Sequence, residues 1–450
     1  MRTFFTALLV SLGMIAFSGA PALAAQTDGV LDTSFQANLG SGFTGTYIKA
    51  LKAQPDQKVL VAGLLVTQNG TNTGGLMRFN ADGTLDSAFT ANQGSGYNGV
   101  INSVDLLSDG SIIVGGNYTR LNGAVVSNLT KINADGTPNT AFNSAMGTGM
   151  NSGGVVYTVS VSSSDDIFVG GSFTTLNGVA VPRLIKMNSA GVLDNAFNAN
   201  EGSGPSATVY SIVQQPDGKI LAAGSIINFN GSPAGGLVRL ESNGVRDTSL
   251  QASFSGALQS MALNADGTIL VGGIITSYAG TSVTGLVKLS SNGILDTAFQ
   301  TQLGTVVGSL KKVYVLPDTR IVVAGLTTVN STPVGKLAVL KPTGLLDPSF
   351  QVNIGTGANN TVETVTYTSN SELIVAGNFT TLNAAPASWI AKLSSSFENQ
   401  TVANATPAAA TPAVLANTGI SGTNVAFLLF AGSIPILAGI MLLRIVKKRV

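Results

Sequence analysis

A short β-forming segment that ends in glycine recurs seven times along this 450-residue chain. Val, Ile, Leu and Ala make up most of each copy, and successive closing glycines are 49 to 55 residues apart. The seven glycines are Gly63, Gly116, Gly171, Gly224, Gly273, Gly325 and Gly377. A period of this length built from short strands is typical of a β-propeller, in which each repeat supplies one sheet, or blade. We therefore predict an all-β, seven-bladed propeller of four-stranded blades.

The second repeat illustrates the expected blade. Residues 101–107 alternate between apolar and polar, residues 112–116 form the glycine-ended strand, and residues 129–132 give a third strand. Asp-Gly turns follow the first and third strands, as hairpins require. The fourth segment carries the pattern Leu-Asp-x-x-Phe, or a degenerate copy of it, and we expect it to be the fourth strand. Six or eight blades would require this count to be wrong by one.

The fourth segment occurs eight times, whereas the glycine-ended strand occurs seven times. The surplus copy is N-terminal, at residues 31–35. It is therefore expected to complete the last blade and to close the ring, which would leave no open sheet edge.

These repeated residues resemble the delta-60 repeat, a bacterial β-propeller family marked by Leu-Asp-x-x-Phe, a Pro-Asp-Gly-Lys turn and Val-Gly-Gly. The best local match is Gln-Pro-Asp-Gly-Lys-Ile-Leu at 215–221, and the resemblance covers about residues 28–397. It implies a propeller fold for nearly the whole body. It implies no active site, because the family has no established catalytic residues.

The N-terminus has the three parts of a secretory signal peptide. Arg2 precedes an apolar stretch at 4–17, and Ala-Leu-Ala follows at 22–24. A basic start, a short apolar core and an Ala-x-Ala site predict cleavage after Ala24. An N-terminal membrane anchor is the alternative, but serine and glycine interrupt the apolar stretch. We therefore expect residues 1–24 to be a signal peptide and residues 25–398 to be the propeller.

The C-terminus contains four parts in order. Residues 399–414 form an Ala/Thr/Pro-rich linker, residues 415–419 read Leu-Ala-Asn-Thr-Gly, residues 425–443 are uncharged and long enough for a transmembrane helix, and a basic tail ends at Val450. This layout resembles the cell-wall sorting signal of Gram-positive surface proteins, in which a sortase cuts between Thr and Gly of Leu-Pro-x-Thr-Gly. The matching residues are Leu415, Ala416, Asn417, Thr418 and Gly419.

The resemblance implies cleavage at the Thr418–Gly419 bond and transfer of Thr418 to an envelope acceptor. Ala416 replaces the usual proline, a choice that a subset of sortases favours. A plain single-pass membrane anchor is the alternative. Both readings place the body outside the cell, held at the surface.

Composition excludes several kinds of site. The chain has no cysteine and no histidine, so it has no disulfides, no Cys/His zinc site and no histidine base. Asx-Gly turns resemble calcium loops faintly but supply too few carboxylates, and two G-x-G-x-x-G runs precede strands rather than helices. We expect no cofactor and no metal. Removing both ends leaves a charge of about −4, which offers no footprint for nucleic acid.

Two positions on the innermost strand of each repeat are informative, one for the packing between blades and one for the channel mouth. Twelve residues before each closing glycine the residue is always apolar, as packing between blades requires. Fourteen residues before it the residue is always polar or amphipathic and mostly different from blade to blade. These are the candidate ligand-binding residues, at the mouth of the channel: Lys49, Asn102, Tyr157, Tyr210, Gln259, Lys311 and Glu363. A solvated strand end that varies freely is the alternative interpretation.

Three functions are compatible with the sequence. The first is a non-catalytic binding or adhesion module displayed on the envelope, with a glycan or protein ligand. The second is an envelope hydrolase or lyase that uses carboxylates in the funnel, for which only Asp105 and Glu363 lie on innermost strands. The third is a structural spacer. We expect the first, with no catalytic residues, because tyrosines lie near the strand starts and carboxylates do not cluster.

Overall fold

A computed structural model of the chain describes residues 28–40, 42–126, 128–151 and 153–394. The predicted signal peptide at 1–24, the linker at 399–414, the pentapeptide at 415–419 and the membrane helix at 425–443 lie outside these residues. Within the described ranges, no helix has the length and apolar character needed to cross a membrane.

The described strands form seven sheets of three or four strands, and three further sheets of two strands. We number the seven sheets in chain order of their first, or inner, strands. The inner strands are Phe43–Ala53, Val100–Leu106, Val156–Val161, Val209–Gln214, Phe254–Leu263, Val306–Val315 and Val362–Tyr367. The second strands are Val59–Gln68, Ile112–Asn117, Ile167–Gly171, Ile220–Phe229, Ile269–Tyr278, Ile321–Val329 and Leu373–Gly377. The third strands are Leu76–Phe79, Leu129–Ile132, Leu184–Met187, Ser232–Leu240, Leu286–Leu289, Leu337–Leu340 and Ile390–Ser394.

Short hairpins extend from the second strands. Their two-residue strands are Thr71–Asn72, Arg120–Leu121, Ala124–Val125, Thr175–Leu176, Val179–Ala180, Thr281–Ser282, Thr332–Pro333, Thr381–Leu382 and Ala385–Pro386. All pairings between strands are antiparallel, and in each of the seven sheets the second strand pairs with both the first and the third. This is the meander that the alternating hairpin signals predict.

The seven sheets surround a common centre. Each inner strand contacts the inner strand of the next sheet, and the seventh contacts the first. Val30–Leu31 adds a fourth strand to sheet 7, where Val30 pairs with Ser394 and Leu31 with Leu393. The prediction that the surplus N-terminal copy completes the last sheet is therefore confirmed. Because residues from the two ends of the body share one sheet, the ring has no free edge at this point.

The prediction that Leu-Asp-x-x-Phe forms a fourth strand is wrong in most sheets. In sheet 1, Leu85 makes only an isolated bridge to Phe79, and Asp86 then begins a short helix. The Asp86 carboxylate accepts a hydrogen bond from the backbone N–H of Phe89, which is the function of a helix N-cap. An aspartate caps five helices in this way, and Asn139 caps Thr140–Ala145 through its amide oxygen. The six helices are Thr33–Leu39, Ser87–Asn92, Thr140–Ala145, Asn195–Glu201, Thr297–Leu303 and Pro348–Ile354.

The same motif joins neighbouring repeats through its aromatic ring and its carboxylate. Phe35 is 1% exposed, and the ammonium of Lys392 lies 5.4 Å from the centre of its ring. Lys392 also forms a 3.0 Å ion pair with the N-cap Asp32. The motif recurs because each of its residues has a structural task, and none of these tasks involves the channel.

The core lies between the sheets, as the apolar position twelve residues before each closing glycine predicts. These seven residues are at most 8% exposed. They are Leu51, Val104, Val159, Ile212, Met261, Val313 and Val365. Burial on this scale between adjacent sheets supplies the main free energy that holds the ring together.

Candidate functional site

A β-bulge interrupts every inner strand at the candidate ligand-binding position. In sheet 3, Val156 pairs with Gly171 and Thr158 with Gly170, which leaves Tyr157 as the extra residue. Sheets 1, 2, 4, 5 and 7 skip one residue in the same way, and in sheet 6 the irregularity spans residues 309–311. A bulge turns a side chain away from its ordinary direction. Six of the predicted residues are therefore presented by the same one-residue bulge, and Lys311 lies in the longer irregularity of sheet 6.

The closing glycine makes room for this bulge. A Cβ placed on Gly224 would lie 2.0 Å from the carbonyl oxygen of Thr208, in the neighbouring strand. The other six closing glycines meet the corresponding carbonyl oxygen at 2.0 to 2.2 Å. Most of these glycines have ordinary backbone angles, so space and not left-handed geometry requires them. The closing glycine that defines the repeat in the sequence therefore also permits the bulge at the candidate site.

The structure brings all seven predicted residues together around one cavity of about 410 Å³ at the centre of the ring. Each of them is half-buried. A second cavity of about 730 Å³ lies toward the turns at the other end of the inner strands, lined by Ser163 and Pro216 among others. The two cavities share Lys52, Ser160 and Lys312, so they are successive parts of one channel.

An aromatic pair occupies one side of this channel. The rings of Tyr157 and Tyr210 are 5.0 Å apart and nearly perpendicular, at 69°. Edge-to-face packing of this kind holds both rings in place while leaving ring surface open to the cavity. Burial raises the pKa of Tyr157, and the neighbouring Tyr210 raises it further. The Tyr157 hydroxyl therefore stays protonated at neutral pH and can donate a hydrogen bond.

The charged members of the channel wall are mostly paired across sheets. Lys49 of sheet 1 forms a 2.9 Å ion pair with Glu363 of sheet 7. Lys52, three residues further along sheet 1, forms a 2.6 Å ion pair with Asp105 of sheet 2. Asp105 also accepts a hydrogen bond of 2.8 Å from a backbone N–H of sheet 3. The two carboxylates that sequence places on inner strands are thus each held by a lysine.

Asn102 has a structural partner as well. Its side-chain N–H donates a 3.0 Å hydrogen bond to the carbonyl oxygen of Val156 in the next sheet. Its second N–H and its amide oxygen remain for a ligand. Gln259 and Lys311 line the same cavity at the equivalent positions of sheets 5 and 6.

Sequence reasoning missed a second layer of residues deeper in the channel. Lys52, Lys312, Tyr314 and Tyr367 all line the cavity. Desolvation lowers the pKa of Lys312, and repulsion from Lys52 lowers it further, while Asp105 acts in the opposite direction. The signal was available in the repeat, because these residues lie ten, eleven and thirteen positions before the closing glycines.

A row of small hydroxyl side chains joins the sheets around the channel. Ser103 accepts a 3.1 Å hydrogen bond from the backbone N–H of Val159 in the next sheet. Ser211 and Ser260 accept equivalent bonds, each of 3.1 Å, from Met261 and Val313. These serines stand thirteen residues before their closing glycines. Hydrogen bonds between neighbouring sheets therefore add to the apolar packing between them.

The residues that the structure describes contain no group of three or more acidic side chains arranged to hold a metal ion. Asp105 and Glu363 have lysine partners, and most of the other aspartates cap helices or turns. The channel chemistry consists of hydrogen-bonding groups, tyrosine rings and lysines.

Comparison with protein families supports the class that the repeat and the sheets define. Six segments match the family described as "Domain of unknown function (DUF5122) beta-propeller": 54–89, 107–142, 164–197, 215–250, 265–299 and 316–350. The chain is therefore a β-propeller repeat protein, with a propeller-like all-β fold. A search of curated proteins finds no match to the sequence.

Solved structures resemble the chain only distantly. The extracellular domain of the putative one component system BT4673 from B. thetaiotaomicron is 15% identical with a TM-score of 0.48, over 82% of this chain and 40% of that one. The chain thus spans 40% of the length of that domain. The WD40 β-propeller domain of Doa1 is 16% identical with a TM-score of 0.48, over 79% of this chain and 96% of that one. Streptogramin B lyase is 12% identical with a TM-score of 0.43, over 80% and 96%.

Proposed function

We propose that this protein is a seven-bladed β-propeller that acts as a non-catalytic binding module displayed on the cell envelope, with its ligand at the mouth of the central channel. The seven sheets correspond to the seven blades, and the delta-60 repeat is the family whose motifs the blades resemble. The ligand class is a glycan or a protein segment, since tyrosine rings combined with amides suit both.

One observation carries this proposal. The inner strands present polar or aromatic residues of five types to the same cavity from equivalent positions, although the surrounding packing positions repeat closely. A strand end without a function would not require a closing glycine and an irregular strand pairing in all seven repeats. A rigid ring that displays varied side chains from a fixed frame is what a recognition site needs.

The alternative of a hydrolase or lyase in the channel finds less support. Carboxylate pairs in glycosidases work because one acid is protonated and the other is free to act on the sugar. Asp105 and Glu363 instead neutralise Lys52 and Lys49. A spacer without a ligand would not require the Tyr157–Tyr210 pair at the channel.

The proposed location rests on the two ends of the chain. Residues 1–24 are proposed to direct export. Residues 415–419 are proposed to be cut by a sortase after Thr418, which joins the body to an envelope acceptor; a single-pass anchor through residues 425–443 is the alternative. Either route displays the propeller outside the cell.

The proposal is tested with the purified body, residues 25–398, on a glycan array and against envelope extracts. The dissociation constant for a captured ligand is then measured for the double variant Tyr157→Ala/Tyr210→Ala. We expect binding to weaken by more than about 1 kcal/mol, a loss that only a minority of contact residues cause. The matched control is Tyr157→Phe/Tyr210→Phe, which keeps both ring faces and removes only the hydroxyls.

Thermal unfolding separates a loss of binding from a loss of folding. Neither variant changes Val159 or Ile212, which are buried between the sheets, so the melting temperature should change little. Unchanged affinity in the alanine variant would move the site away from the ring, to loops or the outer rim. Failure of the whole array and of the extracts would favour the spacer.

A further inference from the structure

The channel and the rest of the body carry opposite charge. Lys49, Lys52, Lys311 and Lys312 line the cavity, against the two carboxylates of Asp105 and Glu363, which leaves a net charge of +2. The other residues that the structure describes hold 14 basic and 19 acidic side chains. A concave, positively charged site focuses the electrostatic field and so raises the local concentration of anions.

Lys312 departs from the pattern of its position. Thirteen residues before the closing glycine, five of the seven repeats carry a small hydroxyl and one carries alanine: Ser103, Thr158, Ser211, Ser260, Thr364 and Ala50. Serines at this position accept hydrogen bonds from the next sheet. An ammonium group has no lone pair and cannot accept such a bond. The lysine therefore does not serve the structural purpose of its position.

Lys312 is also an unneutralised cation in the channel wall. Its ammonium group makes no ion pair or hydrogen bond with any residue in the described part of the chain, whereas Lys49 and Lys52 both have carboxylate partners. The enclosing wall desolvates it, Lys52 repels it, and both effects lower its pKa. Holding a charge there costs free energy unless an anion is nearby.

We propose that the ligand of the central channel carries an anionic group, a carboxylate or a phosphate, which binds Lys312 inside the channel. This inference rests on the proposed binding function and names its ligand class. Lys312 shares one cavity with Tyr157 and Tyr210, so a single ligand can contact the rings and place its charge on the lysine. Lys311 adds a second positive charge beside it. The pairing of Lys52 with Asp105 keeps that lysine from being the primary contact.

The experiment uses three defined probes with the purified body at low salt: inorganic phosphate, a galacturonic acid tetrasaccharide, and a neutral galactose tetrasaccharide of the same linkage. Isothermal titration gives the dissociation constants for the wild type, for Lys312→Ser and for the control Lys341→Ser. Serine restores the residue type common at position 312 in the repeat, so the variant should fold. Lys341 is exposed and does not line the channel.

We expect at least one anionic probe to bind, and Lys312→Ser to weaken it by about tenfold, the size of a lost charge-assisted contact. The neutral tetrasaccharide should bind more weakly than its acidic counterpart and should not respond to Lys312→Ser. Which anion binds distinguishes a uronic acid from a phosphate source. In the wild type, NMR of ¹³C-methylated lysines should show that the bound anion raises the pKa of Lys312.

Three results would overturn the inference: no binding by either anion, equal binding of the neutral and acidic sugars, or anion binding that survives Lys312→Ser. The two proposals fail separately. If the neutral sugar binds and its binding requires Tyr157 and Tyr210, the proposed binding function stands and the anionic ligand is rejected. Anion binding that requires Lys312 but ignores both tyrosines would keep the anion site and reject the aromatic platform.

Discussion

Gly224→Ala tests whether the closing glycine shapes the site. The added Cβ would lie 2.0 Å from the Thr208 carbonyl oxygen, whereas ordinary contact begins near 3.4 Å, so the two strands must separate locally by about 1.4 Å. The same carbonyl oxygen accepts a 3.0 Å hydrogen bond from the N–H of Ser225, which the separation would weaken. Overpacking costs about 1–3 kcal/mol and a lost hydrogen bond about 1 kcal/mol. We expect the free energy of unfolding to fall by about 2–4 kcal/mol.

The control is Gly231→Ala, in the turn of the same sheet. Gly231 has φ +75° and no atom within 4 Å of the added Cβ. Its substitution should cost only the strain of a left-handed backbone, about 1 kcal/mol. Urea denaturation measures both losses.

¹⁹F NMR of fluorotyrosine-labelled protein, with Tyr210→Phe to assign the signal, reports the site itself. Gly224→Ala should shift the Tyr210 resonance, because Tyr210 is the bulge residue opposite this glycine, and Gly231→Ala should not. If Gly224→Ala costs no more than Gly231→Ala and leaves Tyr210 unmoved, the glycine is not what holds the bulge.

Three other predictions concern burial, closure and anchoring. Burial raises the pKa of Glu201, whose two oxygens have no hydrogen-bond partner among the described residues. The folded state therefore binds more protons than the unfolded state, and stability falls as pH rises above the ordinary glutamate pKa. Glu201→Leu should remove this loss. The melting temperature of the variant should therefore exceed that of the wild type by more at pH 8 than at pH 4. Deleting residues 25–40 removes the closing strand and the 2.9 Å ion pair of Asp28 with Arg320, so melting temperature should drop markedly or the protein should aggregate; a truncated body as stable as its parent would contradict closure. Mass spectrometry of digested envelopes should find a peptide that ends at Thr418 with an envelope adduct, and an intact tail through Val450 would support the single-pass anchor instead.

The repeat made the frame predictable. A glycine every 49 to 55 residues gives both the number of sheets and a common register, so Val104 or Ile212 can be assigned to the packing between sheets without coordinates. The same register locates Tyr157 and Tyr210 at equivalent points of neighbouring sheets. What the register conveys is position along a strand.

The remaining features depend on where strands lie relative to each other. Asp86 looks like part of a strand, yet the N–H groups that follow it make it a helix cap. The bulge at Tyr157 is set by a carbonyl oxygen sixteen residues before the closing glycine, a contact that only the pairing reveals. The ion pair of Lys49 with Glu363 joins residues 314 positions apart and follows from ring closure. The sequence shows that Lys312 departs from the residue type common at its position. It does not show that the ammonium group has no carboxylate partner among the described residues.

A crystal structure of the body bound to a ligand captured on the array tests the central claim most directly. Our account predicts ligand density at the channel mouth, in contact with the rings of Tyr157 and Tyr210. Density at the outer rim or on the hairpin loops, with the channel mouth left unoccupied, would contradict it.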